Sequence, residues 1–325
     1  GSDPDRARAV AERDLADIGW LKQGEGRDLY LVGGAWRALA RVHMAQVGYP
    51  LHMVHHYTIG REEARELAGM IAGAGRRALE RLPDVPRRRT DDLPYAAVVL
   101  RRVLRATSAR RVVFSANGLR EGWFMLRMPP EIRAEDPLLT AGRDYAHQLG
   151  RDPALPPHLL TWTDPLFPRE APELRRLREA ACWMSDIGSH DHPEFRAEQA
   201  FLRVLRQPGI GLDHHARAFL ALAIALRYEI EADTEFLRPA RLLLDVASAH
   251  RAVVLGIALR LAYTLSAGTP DLLAATALSV QGSRLLLRLD ESRGVFAGES
   301  VLRRLDRLAQ EVGLEPGVQA IDGNS

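Results

Sequence analysis

The chain has 325 residues, 46% of them hydrophobic and 26% charged, with a formal net charge of +2. That length is comfortable for two cores, and the composition excludes a fibrous or wholly disordered chain. One cysteine, Cys182, excludes an internal disulfide and any zinc site built on paired cysteines.

The charge is unevenly spread. Residues 76–127 hold 13 Arg and 5 acidic residues, a local balance of +8, and the remainder carries −6. Such a segment attracts polyanions such as phosphate chains, nucleotides or nucleic acid, or is an Arg-rich solvated surface in a chain whose only lysine is Lys22.

In chain order, residues 5–18 read as a helix of good helix formers, followed by a "GEGRD" turn and a short strand at 29–32. Gly33-Gly34 leads into an amphipathic helix with Trp36, Leu39, Ala40 and Met44 at helical spacing. "MVHHYTI", 53–59, reads as a second strand, and "GREEARELAGMIAGAG" as a helix with acidic residues in its first turn. A proline-broken loop, 82–94, precedes the helix "YAAVVLRRVLRAT", which feeds the strand of "RRVVFSANGLREGWF". This alternation of strand and helix is the mark of an α/β layer, here with only about three strands.

Beyond about residue 135 the apolar pattern becomes helical throughout, with Pro, Gly and Asp between the runs, so this half reads as all-α. A short strand pair fits residues 279–290. The run 239–265 reads as long apolar helix able to pack against a second copy. The apolar runs "RAFLALAIALRYE" and "RAVVLGIALRLAYTL", interrupted by Arg, read as too short to span a bilayer, and no signal peptide is visible, so the expected location is cytoplasmic.

Two junctions in the α/β half are the first candidate sites. "LVGGAWRAL" and "VVFSANGLREG" both run from strand through small residues into a helix start, where glycine admits a ligand to the backbone and free N–H groups favour an anion. Neither matches a P-loop or a dinucleotide fingerprint. Arg37 and Arg120 lie within four residues of these turns, placed to clamp a phosphate or to pair with an acid. A second cluster, "SDIGSHDHPEFRAEQ", gathers Asp186, His190, Asp191 and His192, with Glu194 and Glu198 behind, and "LDHHARAF" adds Asp213, His214 and His215. His and Asp in a helical domain evoke HD-type phosphohydrolases, although Asp and His are ordinary in a loop or cap beside Pro193. In a strand at 53–59, His55 and His56 would face opposite sides, which argues against one ion between them. Cys182, in an apolar helical stretch, reads as a buried structural thiol.

Four segments together resemble the Ppx/GppA phosphatases: "YLVGGAWRALARVHMAQVGYPLHMVHHYTI", "VVFSANGLREGWF", "CWMSDIGSHDHPEFRAEQAF" and "GIALRLAYTLS", in order along nearly the whole chain. The resemblance implies an incomplete actin-like (ribonuclease H-like) second domain over residues 1–130, then a helical HD-like domain over 131–325. It implies removal of terminal phosphate from inorganic polyphosphate or guanosine pentaphosphate, with Mg²⁺ and a water-activating glutamate. The family's Asp-x-Gly-Ser and Gly-Gly-Gly-Ser phosphate loops and its catalytic glutamate are not found, and are expected upstream of this chain. By this reading Gly33, Gly34, Arg37, Ser115, Asn117, Gly118 and Arg120 line the phosphate path. Ser189-His190-Asp191 departs from the family pattern of Trp-Arg-small, so the His/Asp cluster is not a family metal site. The alternative is a non-catalytic module that binds polyphosphate or an alarmone and forms a homodimer. Neither a membrane nor a specific nucleic acid is an expected partner.

Overall fold

The structure, a computed structural model, describes residues 4–82, 90–208 and 211–320. It divides into two units, Gly1–Ala134 and Glu135–Ser325. The content is mixed α/β and mostly helical.

Unit 1 runs α1 (Pro4–Ala16), β1 (Asp28–Val32), α2 (Gly34–Gln46), β2 (Tyr57–Gly60), α3 (Arg61–Gly73), α4 (Arg76–Leu79), α5 (Leu93–Thr107), β3 (Arg111–Ser115), α6 (Leu119–Arg127) and α7 (Pro130–Ala134). The sheet order is β1-β3-β2. β3 pairs parallel with β1 and antiparallel with β2. β3 is central and buried on both faces, so its Val112-Val113-Phe114 run is continuous rather than alternating. α3 buries Ala64, Leu67, Ala68 and Ile71, one helical stripe, and α5 buries Leu93, Ala96, Ala97, Leu100 and Leu104. These stripes pack together and with Leu39, Val42 and Met44 of α2 form the core of the unit. Ser108, in the left-handed conformation at φ 50°, closes α5 and turns the chain into β3.

At the start of β3 the Asp28 carboxylate accepts hydrogen bonds from Arg111 Nε and Nη2 and from Arg110 Nε, each at 2.8 Å. These two guanidinium groups hold its pKa down at about 2. The pair ties the start of β1 to the start of β3.

The second strand is shorter than its sequence suggests. Residues 53–56 lie outside it, and His56 takes φ 61°, which no strand residue adopts. The opposite-face argument for His55 and His56 therefore does not apply; their rings meet edge-to-face at 4.5 Å within a turn. Part of the proline-rich loop expected at 82–94, residues 83–89, lies outside the described residues.

Unit 2 comprises α8 (Pro137–Leu149), α9 (Leu155–Thr163), α10 (Pro172–Met184), α11 (Arg196–Leu205), α12 (His214–Leu226), α13 (Arg238–Leu243), α14 (Val246–Ser266), α15 (Pro270–Ala274), β4 (Thr276–Gln281), β5 (Arg284–Leu289), α16 (Glu299–Glu311) and β6 (Glu315–Ala320). Aspartates punctuate it. Asp136, Asp213 and Asp245 cap α8, α12 and α14 by accepting backbone N–H bonds at 2.8–2.9 Å. The Asp245 cap, after extended Leu244, breaks the run 239–265 into α13 and α14.

α14 is long and apolar enough, by length and composition, to cross a membrane, which corrects the reading of its stretch as too short. Twelve of its 21 residues are buried, and α12, α16 and α9 of the same unit pack against it. It packs as a core helix of its unit. Where it meets α12, a Cβ on Gly256 would lie 2.7 Å from the Ala223 carbonyl oxygen and from Leu226 Cβ.

Unit 2 is also not all-α. β4 and β5 form an antiparallel hairpin across Gly282, and β6 adds to β5 in parallel, with α16 between them in sequence. The hairpin follows the expected strand pair, but β6 was hidden. It contains Pro316 and Gly317, poor strand formers that an edge position tolerates.

Two outcomes follow from this packing. Gly256→Ala is expected to destabilise unit 2 by about 1–3 kcal/mol through overpacking, read by urea unfolding. Asp28→Asn is expected to cost about 1 kcal/mol, because its arginine partners are 60% and 47% exposed and solvent screens them. The lowered pKa means that this contribution is complete above about pH 4 and disappears as pH falls through about 2. Unfolding curves of the two proteins should therefore converge in acid.

Candidate phosphate site

β1 and β3 run parallel in register, with Val32 opposite Ser115. Their ends deliver the two small-residue turns side by side: Gly33-Gly34 into α2, and Ser115-Ala116-Asn117-Gly118 into α6. The register, not the sequence separation of about 80 residues, makes one site of them.

Gly33 takes φ 139° and ψ 163°, a conformation strained for any residue with a Cβ. No side chain caps α2. Its first N–H groups lack intrahelical acceptors, as at every helix start, and the helix dipole adds partial positive charge there. The second turn is internally tied. Asn117 N–H donates to Ser115 Oγ at 3.1 Å, and Gly118 N–H donates to the Glu121 carboxylate at 2.6 Å. The N–H groups of Glu121 itself and of Gly118 hold that carboxyl below the usual carboxylate range.

Arg37 Nη1 donates to the Ala116 carbonyl at 3.1 Å, so Arg37 stitches one turn to the other. One arm of its fork is thus engaged by the protein itself. Arg120 is 82% exposed and reaches Glu121 at 3.3 Å. The structure thus gathers Gly33, Gly34, Arg37, Ser115, Asn117 and Gly118 at one end of the sheet, while Arg120 lies on the exposed first turn of α6.

One neighbour had no sequence signal. Ala116 N–H donates to His55 Nδ1 at 3.3 Å. His55 and Ala116 lie 61 residues apart, and only the antiparallel pairing of β2 with β3 brings them together. Below them His43 Nδ1 and the Tyr57 hydroxyl share a buried 2.7 Å hydrogen bond, and burial holds the His43 imidazole below its ordinary value.

The His/Asp cluster of unit 2 does not converge. Asp186 accepts from Arg151 N, Nε and Nη2 at 2.9–3.0 Å and from Arg227 Nη2 at 2.6 Å. Arg227 lies over the rings of Tyr228 and Tyr263, at 4.1 and 3.8 Å. Asp191 faces Arg203 at 3.4 Å, and His192 Nδ1 accepts from Glu194 N–H at 3.3 Å. His190 and His192 are exposed. Among the described residues no group of three or more His, Cys, Asp or Glu is placed to hold a metal ion. Asp213 is spent as a helix cap. Cys182 is buried, and burial pushes its thiol up to about 12, which makes it inert at neutral pH.

A cationic cleft of about 390 Å³ in unit 2 also escaped the sequence reading; Arg260, Arg303, Arg304 and Arg307 line it, with Glu229 and Ile257. It is largely neutralised within the protein. Glu229 pairs with Arg304 and Arg260, and Glu231 with Arg307. The spacing of Arg303 and Arg307 on α16 was its only sequence sign.

The sequence pattern of the Ppx/GppA phosphatase family matches residues 5–131, and that of "Exopolyphosphatase, C-terminal" matches residues 138–316. The chain belongs to the Ppx/GppA phosphatase family, whose members are generally phosphatase-type hydrolases. It is also 30% identical over 223 residues to Retrograde regulation protein 2 of Saccharomyces cerevisiae, which covers 64% of this chain. The chain spans 36% of the length of that relative.

The strained turn yields a test of the site's architecture. Gly33→Ala is expected to cost about 1–3 kcal/mol in urea unfolding, because φ 139° disfavours a side chain. Gly122→Ala, inside α6 with open space around it, should instead be neutral or stabilising by up to about 1 kcal/mol.

Proposed function

We propose that the full protein is an exopolyphosphatase-type phosphohydrolase that removes terminal phosphate from inorganic polyphosphate or guanosine pentaphosphate, and that this chain supplies part of its phosphate path. The observation that carries the reading is the register of β1 with β3, which sets two anion-favouring turns side by side. In this reading the backbone N–H groups at the start of α2, with Ser115 and Asn117, hold phosphoryl oxygens. Arg37, bonded to Ala116, fixes the spacing of the two turns and presents the rest of its guanidinium to the phosphate.

The donor set here is made for an anion. It does not fit a protein-held Mg²⁺, which asks for carboxylate oxygens, and the nearby Glu121 is committed to Gly118. The proposal therefore places the water-activating glutamate and the remaining phosphate loops outside this chain. The helical HD-like assignment of unit 2 and the actin-like assignment of unit 1 belong to the same proposal.

A second reading, a non-catalytic polyphosphate- or alarmone-binding module that forms a homodimer, draws support from the relative whose name designates a regulation protein. The two part on one experiment with the full-length protein and long-chain polyphosphate. The enzyme reading expects phosphate release with Mg²⁺, reduced by about 10²-fold in Arg37→Gln as the turns lose their spacing. Release that is unchanged in Arg37→Gln overturns the role of the turns. Binding of polyphosphate without release favours the regulatory module.

A further inference from the structure

The basic excess of residues 76–127 is not absorbed by the turn site, and part of it converges elsewhere. Among the described residues, Arg61, Arg65, Arg101, Arg102 and Arg105 line a cleft of about 310 Å³. It lies where α3 and α5 pack against each other. Arg61 and Arg65 are four residues apart on α3, and Arg101 and Arg105 four apart on α5, so each pair shares one helix face.

Like charges at this spacing destabilise a helix, and Arg61 stands in the first turn of α3, where the dipole disfavours a cation. The protein compensates only part of this charge. Arg65 pairs with Glu62 at 2.8 Å, and Arg61 is 3.9 Å from the same carboxylate. Arg102 pairs with Glu12. Arg61 Nη1 also donates to the Ala109 carbonyl at 3.1 Å. Arg101 and Arg105 are exposed and make no ion pair among the described residues, and Arg102 Nε is buried without a hydrogen-bond partner among them. Five guanidinium groups thus meet two carboxylates, Glu62 and Glu12. This differs from the unit 2 cleft, whose arginines are mostly matched by Glu229 and Glu231.

We propose that this five-arginine cleft is a second anion site, which binds a short linear oligophosphate. Guanidinium forks match phosphate oxygens in bidentate fashion, and several converging forks suit a chain of phosphates better than one. Among the described residues no aromatic side chain lines the cleft to stack a base, and the apolar Leu15, Ala16 and Ala106 line only the adjoining cavity that shares Arg102 and Arg105. The site is separate from the turns. It adjoins the start of β3, where Gly60 pairs with Arg111, and the turns follow its end at Ser115. A five-residue strand puts about 15 Å between them. The proposal shares its ligand class with the function proposed above but none of its residues.

The test is calorimetric titration of this chain with inorganic tripolyphosphate at low salt, paired with thermal unfolding. The native chain is expected to bind, and tripolyphosphate to raise its Tm. Arg101→Gln/Arg105→Gln, two exposed positions, should weaken binding at least tenfold and abolish the Tm shift, with a ligand-free Tm equal to or above that of the native chain. Asn117→Ala should leave this binding in place. Binding that survives the double arginine substitution and is lost in Arg303→Gln/Arg307→Gln overturns the proposal in favour of the other cleft. Binding lost in Asn117→Ala alone overturns it while leaving the turn site standing. No tripolyphosphate binding by the native chain overturns it outright.

Discussion

The parallel pairing of β1 with β3 is the constraint on which unit 1 depends. The two strands are about 80 residues apart and joined through β2, α3 and α5. Parallel strands need a long crossover, and here the α3–α5 pair supplies it while burying the sheet's partner face. Because side chains alternate along a strand, a slip of one residue would turn Val112 and Phe114 from their faces and separate the turns. Core packing and site geometry are therefore specified by one register.

Charge follows the same frame. At one end of the sheet, Asp28 gathers Arg110 and Arg111 and ties both strand starts. At the other, Arg37 joins the strand ends through a carbonyl rather than an acid, while the Glu121 carboxylate caps the start of α6. An arginine in unit 2 can instead be a structural post. Arg178 is buried and reaches Glu170, Asp164, Thr163 and the Leu160 carbonyl. Arg227 is buried between Asp186 and two tyrosine rings. Removing the acidic partner of such a buried group would be costly, so these arginine–carboxylate pairs help define how the helices dock. Arginine abundance alone thus says little; the balance of carboxylates around each group separates posts from open sites.

Much of the fold was legible. The helices at 61–73, 93–107, 119–127, 214–226 and 299–311 follow from apolar spacing and from capping residues within each segment. The short β2 and the strand β6 were not, because each depends on a contact or dihedral that no local pattern encodes, whereas the break at Asp245 is a local aspartate cap that the apolar run 239–265 masked.

The sequence by itself determined the family, the strand–turn–helix junctions and the small residues within them, since glycine's tolerance of φ 139° and a helix start's free N–H groups are local properties. Only the tertiary structure decided what those residues face. It turned Asp186 toward Arg151 and Arg227, brought His55 to Ala116, and drew five arginines from α3 and α5 into one cleft. The physical reason is the same in each case: a charge or hydrogen-bonding group is defined by its partner, and that partner lies dozens of residues away along the chain.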